Sequence, residues 1–88
     1  HPGLWRPALH IAPGKIHWVN PARALSPGQS ARFSVRIRYR QPLQDATLFM
    51  RDRGAYILFD QPQRGITPGQ FAAWYDGDEL VGSGVISE

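Results

Sequence analysis

A strict alternation of apolar and polar residues runs from residue 31 to residue 41. Because successive side chains on a β-strand point to opposite faces, this pattern predicts a strand with one buried face. We predict that Phe33, Val35 and Ile37 point inward. The opposite face carries four arginines, and they are Arg32, Arg36, Arg38 and Arg40.

The four arginines require an explanation, because like charges on one strand face repel each other unless water or an anionic partner compensates them. A guanidinium group matches a phosphate group in two-point hydrogen bonding, so nucleic acid is the natural partner. The alternative is a solvated outer face on which arginine serves solubility.

Short apolar runs between turn residues predict five further strands, at residues 15–19, 46–51, 55–60, 71–75 and 79–86. Pro-Gly pairs at residues 27–28 and 68–69 predict type II turns, in which glycine supplies the positive φ. Asp52-Arg53-Gly54 predicts a tight hairpin. Gly82 and Gly84 lie inside the last strand and predict a close backbone approach at a barrel corner.

These elements predict an all-β fold, namely a small closed antiparallel β-barrel of five or six short strands. Eight prolines leave no room for a three-turn amphipathic helix. Residues 1–14 are rich in Pro and Gly, and we expect them to form a connector from a missing upstream domain, followed by the barrel at residues 15–88. Since the chain begins with His1 rather than Met, we expect it to be a piece of a longer protein.

Composition narrows the classes of function. The 88 residues suffice for one small domain, and their net charge of +3, with nine Arg among ten basic residues, is compatible with an anionic partner. The absence of Cys excludes disulfides, thiolate metal sites and thiol nucleophiles. The sequence contains neither a signal-peptide pattern nor an apolar run that could cross a membrane, so we expect a cytoplasmic protein without a membrane partner.

Residues that could support catalysis are few. The acidic cluster at residues 76–79 is first of all a turn, and Gly82-Ser83-Gly84 lacks the length, the lysine and the following helix of a phosphate-binding loop. No Cys accompanies the three histidines, His1, His10 and His17, and the first carboxylate in the sequence is that of Asp45. A metal site is therefore not expected. We therefore expect no catalytic residue, no metal and no cofactor in this chain.

Two long motifs resemble the C-terminal β-barrel of the tRNA-specific 2-thiouridylases. Residues 36–42 (RIRYRQP) are similar to the family's K-I-R-Y-R-Q-P, and residues 59–70 (FDQPQRGITPGQ) are similar to its F-D-E-P-Q-R-A-V-T-P-G-Q. Residues 75–78 (YDGD) and 80–86 (LVGSGVI) extend the resemblance, which covers about residues 15–86. The departures are Gln61 for the usual acid, Phe71 for a small residue beside Gln70, and Ser83 for a glycine.

The resemblance implies a parent enzyme that makes 2-thiouridine at the wobble position of the lysine, glutamate and glutamine tRNAs. It implies that ATP, with Mg²⁺, activates the uridine and that two cysteines deliver persulfide sulfur, all in an upstream nucleotide-binding domain. The implied partners are tRNA, the upstream nucleotide-binding and central domains of the same chain, and a sulfur donor, either a cysteine desulfurase or a sulfur-relay protein.

The resemblance also implies which residues contact tRNA, and these are Arg38, Tyr39 and Gln70. Arg36 and Arg40 flank them on the basic strand, and we include both among the expected tRNA-binding residues. The charge pattern singles out this strand independently, but it does not single out Gln70, because Gln29 has the same turn context. Two alternatives stay open: a barrel that mainly packs on its own upstream domains or on a sulfur donor, and an unrelated barrel that binds proteins.

Overall fold

The structure is a computed structural model that describes residues 5–37 and 41–88. These described residues contain seven strands, in chain order: β1 (Trp5–Ile11), β2 (Ile16–Trp18), β3 (Ser30–Arg36), β4 (Gln44–Arg51), β5 (Gly54–Arg64), β6 (Phe71–Asp76) and β7 (Glu79–Val85). The only helical elements in the described residues are 3₁₀ turns at Pro13–Lys15 and Pro21–Arg23. No helix in the described part of the chain is long and apolar enough to cross a membrane.

The predicted all-β class is confirmed. The strands form one antiparallel sheet in the order β1-β5-β4-β3-β6-β7-β2, with seven strands rather than five or six. The sheet is a curled half-barrel rather than a closed barrel. Its curl brings the end of the chain to β1, where the His10 N–H donates to Glu88 O at 2.8 Å and His10 O accepts from the Ser87 N–H at 2.8 Å.

The expectation of a connector is wrong for residues 5–11, which form β1, whereas residues 1–4 of the expected connector lie outside the described residues. β1 pairs with β5, and its Leu9 and Ile11 are 2% and 0% exposed, so the segment supplies part of the core. Pro7 hides the alternation in the sequence, yet it lies where the β1–β5 register shifts and where the ladder needs no N–H donor. The same pairing extends β5 to Arg64, four residues beyond the predicted end of that strand at residue 60.

The predicted register of β3 is confirmed in the described residues. Phe33, Val35 and Ile37 are 6%, 0% and 4% exposed, whereas Arg32 lies exposed on the outer face and Arg36 half-buried. The predicted outward position of Arg38 lies outside the described residues. The centre of the core is made of the largest fully buried side chains, which are Trp74, Leu9, Ile11, Leu48, Ile57, Ile86, Val35 and Val81.

The glycine predictions are also confirmed. Gly28 and Gly69 have φ of 95° and 91°, as the third position of a type II turn requires. A Cβ on Gly82 would lie 2.6 Å from Nε1 of Trp74, and one on Gly84 would lie 2.8 Å from Cγ2 of Ile11. The last strand therefore needs glycine at both positions, because the core packs directly against its backbone.

Candidate nucleic-acid interface

Two of the five predicted tRNA-binding residues, Arg36 and Gln70, lie in the described part of the chain. Arg38, Tyr39 and Arg40 lie outside the described residues, so their contacts remain predictions. Arg36 ends β3 on the outer face, opposite Ala73 of β6. Gln70 immediately precedes β6, three residues from Ala73, which corresponds to roughly 10 Å along an extended chain. Arg36 thus lies on β3, and Gln70 lies in the turn just before β6, the strand next to β3.

Arg36 is held in place by Tyr75. Its Nη2 donates to the Tyr75 hydroxyl oxygen at 2.9 Å, and its guanidinium carbon lies 5.4 Å from the centre of the Tyr75 ring. Ser34 is the direct partner of Tyr75, so Arg36 reaches it diagonally across the β3–β6 pair. Arg36 forms no ion pair within the described residues, and it therefore presents an oriented, uncompensated positive charge.

Arg32, on the same face of β3, has its charge neutralised within the chain. Its two terminal nitrogens donate to the two carboxylate oxygens of Asp60, each at 2.6 Å, and Nη1 also contacts Thr47 Oγ1 at 3.1 Å. These hydrogen bonds hold the pKa of Asp60 below its ordinary value and raise the pKa of Arg32. An internal carboxylate therefore compensates the start of the basic strand, whereas Arg36 stays available to an external anion.

Gln70 is engaged in its own turn. Its Oε1 accepts from the Thr67 N–H at 3.1 Å, and Gln29 does the same for the Ser26 N–H at 2.8 Å in the matching turn. The side-chain carbonyl therefore stabilises the turn in both copies. The NH₂ group of Gln70 makes no hydrogen bond within the described residues, and it is the part of the side chain that could donate to RNA.

The acidic cluster at the β6–β7 turn is structural. Arg23 Nη2 donates to Asp76 at 2.8 Å and Nη1 donates to Glu79 at 2.9 Å, which ties the turn to the segment after β2. Hydrogen bonding to Asp76 raises the pKa of Arg23. No group of three His, Cys, Asp or Glu side chains in the described ranges could hold a metal ion.

Sequence reasoning missed Tyr75, which orients Arg36. The signal was present, because Ala72 and Trp74 are apolar and a period of two then puts Tyr75 on the outer face beside β3. It also missed Trp5 and a group of buried and half-buried glutamines, which meet only through strand pairing between distant parts of the chain.

Fold and site together define a small all-β domain whose outer face presents an oriented arginine without an ion-pair partner in the described residues. Residues 9–86 match the family described as the aminomethyltransferase beta-barrel domain, and the chain belongs to that family.

Curated relatives agree with this assignment and carry the name tRNA-specific 2-thiouridylase MnmA. The protein from Christiangramia forsetii is 55% identical over 87 residues and that from Flavobacterium johnsoniae is 53% identical, each over 99% of this chain. The protein from Pseudomonas fluorescens is 43% identical over 98% of this chain. These matches confirm the resemblance to the 2-thiouridylase barrel. The chain spans 22% of the length of each of these relatives.

Proposed function

We propose that this chain is the tRNA-contacting barrel of an ATP-dependent tRNA 2-thiouridylase. The parent enzyme would make 2-thiouridine at the wobble position of the lysine, glutamate and glutamine tRNAs in the cytoplasm. The names of the relatives support the reaction, and the basic outer face supports the role of the barrel. The observation that carries the proposal is Arg36, whose guanidinium is oriented by Tyr75 and lacks a carboxylate partner in the described residues.

The proposed contacts follow from the position of Arg36 on its strand. Arg36 would bind a tRNA phosphate, and Arg38 and Arg40 would continue the contact two and four residues further along the chain. Tyr39 would pack or donate its hydroxyl beside them, and Gln70 would donate its free NH₂ group to the tRNA backbone or to a base. These contacts would bind the tRNA, whereas sulfur transfer would require cysteines, which this chain lacks.

ATP and Mg²⁺ would bind in another part of the parent enzyme. The chain contains no phosphate-binding loop, Asp76 and Glu79 of the β6–β7 turn are hydrogen-bonded to Arg23, and no group of three acidic or histidine side chains in the described residues could hold a metal ion, so these residues do not fit either group. A sulfur donor would likewise act at cysteines outside this chain, since the chain has none.

A second role, as a packing module for other domains or for a sulfur donor, is favoured by one observation. Tyr56 and Leu58 are 37% and 45% exposed on the outer face of β5, where they could be covered by another domain. Contact with tRNA would then be incidental.

Binding of tRNA across a salt series separates the two roles. Arg38→Ala should weaken binding of a lysine tRNA and flatten the plot of log affinity against log salt by somewhat under one unit, because one phosphate contact is lost. Arg53→Ala is the matched control, since it removes one arginine from the β4–β5 hairpin, far from Arg36. An unchanged affinity and slope in folded Arg38→Ala protein would favour the packing role.

A further inference from the structure

A pocket of about 380 Å³ opens at the end of the sheet where β1 begins and β5 ends. This volume lies within the range of about 300–1,000 Å³ that is typical of small-ligand sites. Apart from two prolines, the described residues that line it are an aromatic side chain, four carboxamides and a guanidinium group: Trp5, Gln41, Gln44, Gln61, Gln63 and Arg64. No carboxylate is among these lining residues.

A large bulge in β5 builds the pocket. Arg6 pairs with Gln63, and Ala8 pairs with Leu58. Between these two pairs β5 therefore spans five residues, whereas β1 spans only two. Each strand contains a proline within this interval, and proline cannot donate to a ladder. Because a bulge re-aims side chains away from regular pairing, Gln61 is freed from the ladder beside the pocket.

A hydrogen-bond network fixes the floor of the pocket. Gln63 is only 6% exposed, and its Oε1 accepts from Gln41 Nε2 at 2.9 Å, while its Nε2 donates to the Gln61 main-chain oxygen at 2.8 Å. Gln41 Oε1 in turn accepts from the Ile37 N–H at 3.0 Å. The floor is therefore ordered before any ligand arrives, which reduces the entropy lost on binding.

Three groups at the rim stay free. Trp5 is 65% exposed. The Gln61 carboxamide makes no hydrogen bond within the described residues. Arg64 is exposed and forms no ion pair with any described carboxylate. An exposed indole, a free amide and an uncompensated guanidinium are the groups that stack on a base, pair with its polar edge and bind its phosphate.

We propose that this pocket binds one unpaired nucleobase of an RNA strand, a role that rests on the proposed tRNA-contacting function and adds a base-recognition site to it. Trp5 stacks on the base, and the Gln61 amide, which both donates and accepts, pairs with its polar edge. Arg64 binds the adjacent phosphate. Gln41 directly follows residues 38–40 in the chain, so the base site adjoins the proposed phosphate contacts.

The test uses the 88-residue chain and two labelled probes, single-stranded heptauridylate and a blunt 12-base-pair RNA duplex. Trp5→Leu should weaken heptauridylate binding roughly 5- to 150-fold, because base–aromatic stacking is lost. Trp5→Phe, which keeps an aromatic face, should stay within about threefold of wild type. Neither variant should change duplex binding. Arg64→Ala should weaken heptauridylate binding more than its matched control Arg53→Ala.

Melting temperature and circular dichroism verify that each variant is folded, which is expected because Trp5 is exposed at the start of an edge strand. Equal affinities of folded Trp5→Leu and Trp5→Phe for heptauridylate would overturn the base site, and so would a matching loss of duplex binding. Trp5-dependent binding of a decaproline peptide without heptauridylate binding would assign the pocket to a protein segment and overturn it as well.

The outcomes for this site and for the proposed function are distinct. If tRNA binding depends on Arg38 but heptauridylate binding does not depend on Trp5, the base site fails and the tRNA grip stands. If the chain binds heptauridylate through Trp5 but tRNA binding is indifferent to Arg38, the phosphate grip fails and the base site stands.

Discussion

The interaction between Arg36 and Tyr75 gives the sharpest prediction about the outer face. Arg36→Ala removes an oriented cation, whereas Tyr75→Phe keeps the charge and the aromatic ring and removes only the hydroxyl that accepts the 2.9 Å hydrogen bond. The two substitutions therefore separate the charge of the guanidinium from its orientation.

The expected magnitudes differ accordingly. A charge-assisted hydrogen bond to a phosphate contributes about 1.5–3 kcal/mol. Because Arg36 is only half-buried, we expect the lower end for Arg36→Ala, roughly tenfold weaker tRNA binding, with the salt slope reduced by somewhat under one unit. Tyr75→Phe should weaken binding by roughly two- to fivefold and leave the slope unchanged, since no charge is lost.

The assay is fluorescence anisotropy of labelled tRNA at five salt concentrations, with Arg53→Ala as the matched charge control. Both variants should remain folded, because the two side chains lie on the outer face. The reasoning is refuted if Arg36→Ala binds with the wild-type slope, or if Tyr75→Phe lowers the slope as much as Arg36→Ala does.

Three further predictions concern stability and catalysis. Gly82→Ala should destabilise the fold by about 1–3 kcal/mol, because its Cβ would meet Trp74, and thermal unfolding should show a melting temperature lowered by at least about 4 °C. Gly14→Ala, with nothing within 4 Å, is the control and should change little. Arg32 lowers the pKa of Asp60, so the pair stabilises the fold above the unfolded pKa of about 3.9, and this stabilisation is lost as pH falls through the folded pKa. Urea unfolding should therefore show Asp60→Asn less stable than wild type at pH 7, with the gap closing at low pH; a constant gap contradicts the linkage. The chain alone should neither hydrolyse ATP nor thiolate tRNA, and ATP-dependent adenylation of tRNA by the purified chain would contradict this.

A structural feature could be predicted from the sequence when residues close together in the chain determine it. The β3 register could be predicted because the alternation is unbroken from Ala31, and both type II turns could be predicted because Pro and Gly fix their own backbone angles. β1 could not be predicted, because Pro7 interrupts the pattern and leaves only Leu9 and Ile11 as a signal. Its strand character comes from pairing with β5, about 50 residues away in sequence.

In the candidate site, too, features set by neighbouring residues could be predicted, whereas features set by strand pairing could not. An outward arginine at position 36 follows from period two alone, but the neutralisation of Arg32 does not. Arg32 lies opposite Thr47, and Thr47 lies opposite Leu58, so Asp60 approaches Arg32 only once three strands are in register. Charge counted along the sequence therefore overestimates the free charge on the outer face.

Strand direction places the separate parts of the candidate interface at one end of the sheet. Because neighbouring strands are antiparallel, the end of β3 with Arg36 lies beside the starts of β4 and β6, and hence beside Gln44 and Gln70. The end of β5 and the start of β1, with Arg64 and Trp5, lie at this same end. The turns that carry acidic residues lie at the opposite end, and those residues are Asp52, Asp76, Asp78 and Glu79. At that opposite end Arg23 already pairs with Asp76 and Glu79, whereas Arg36 and Arg64 form no ion pair within the described residues. If the proposed contact with tRNA holds, the phosphates should therefore be attracted to the end of the sheet that carries Arg36 and Arg64.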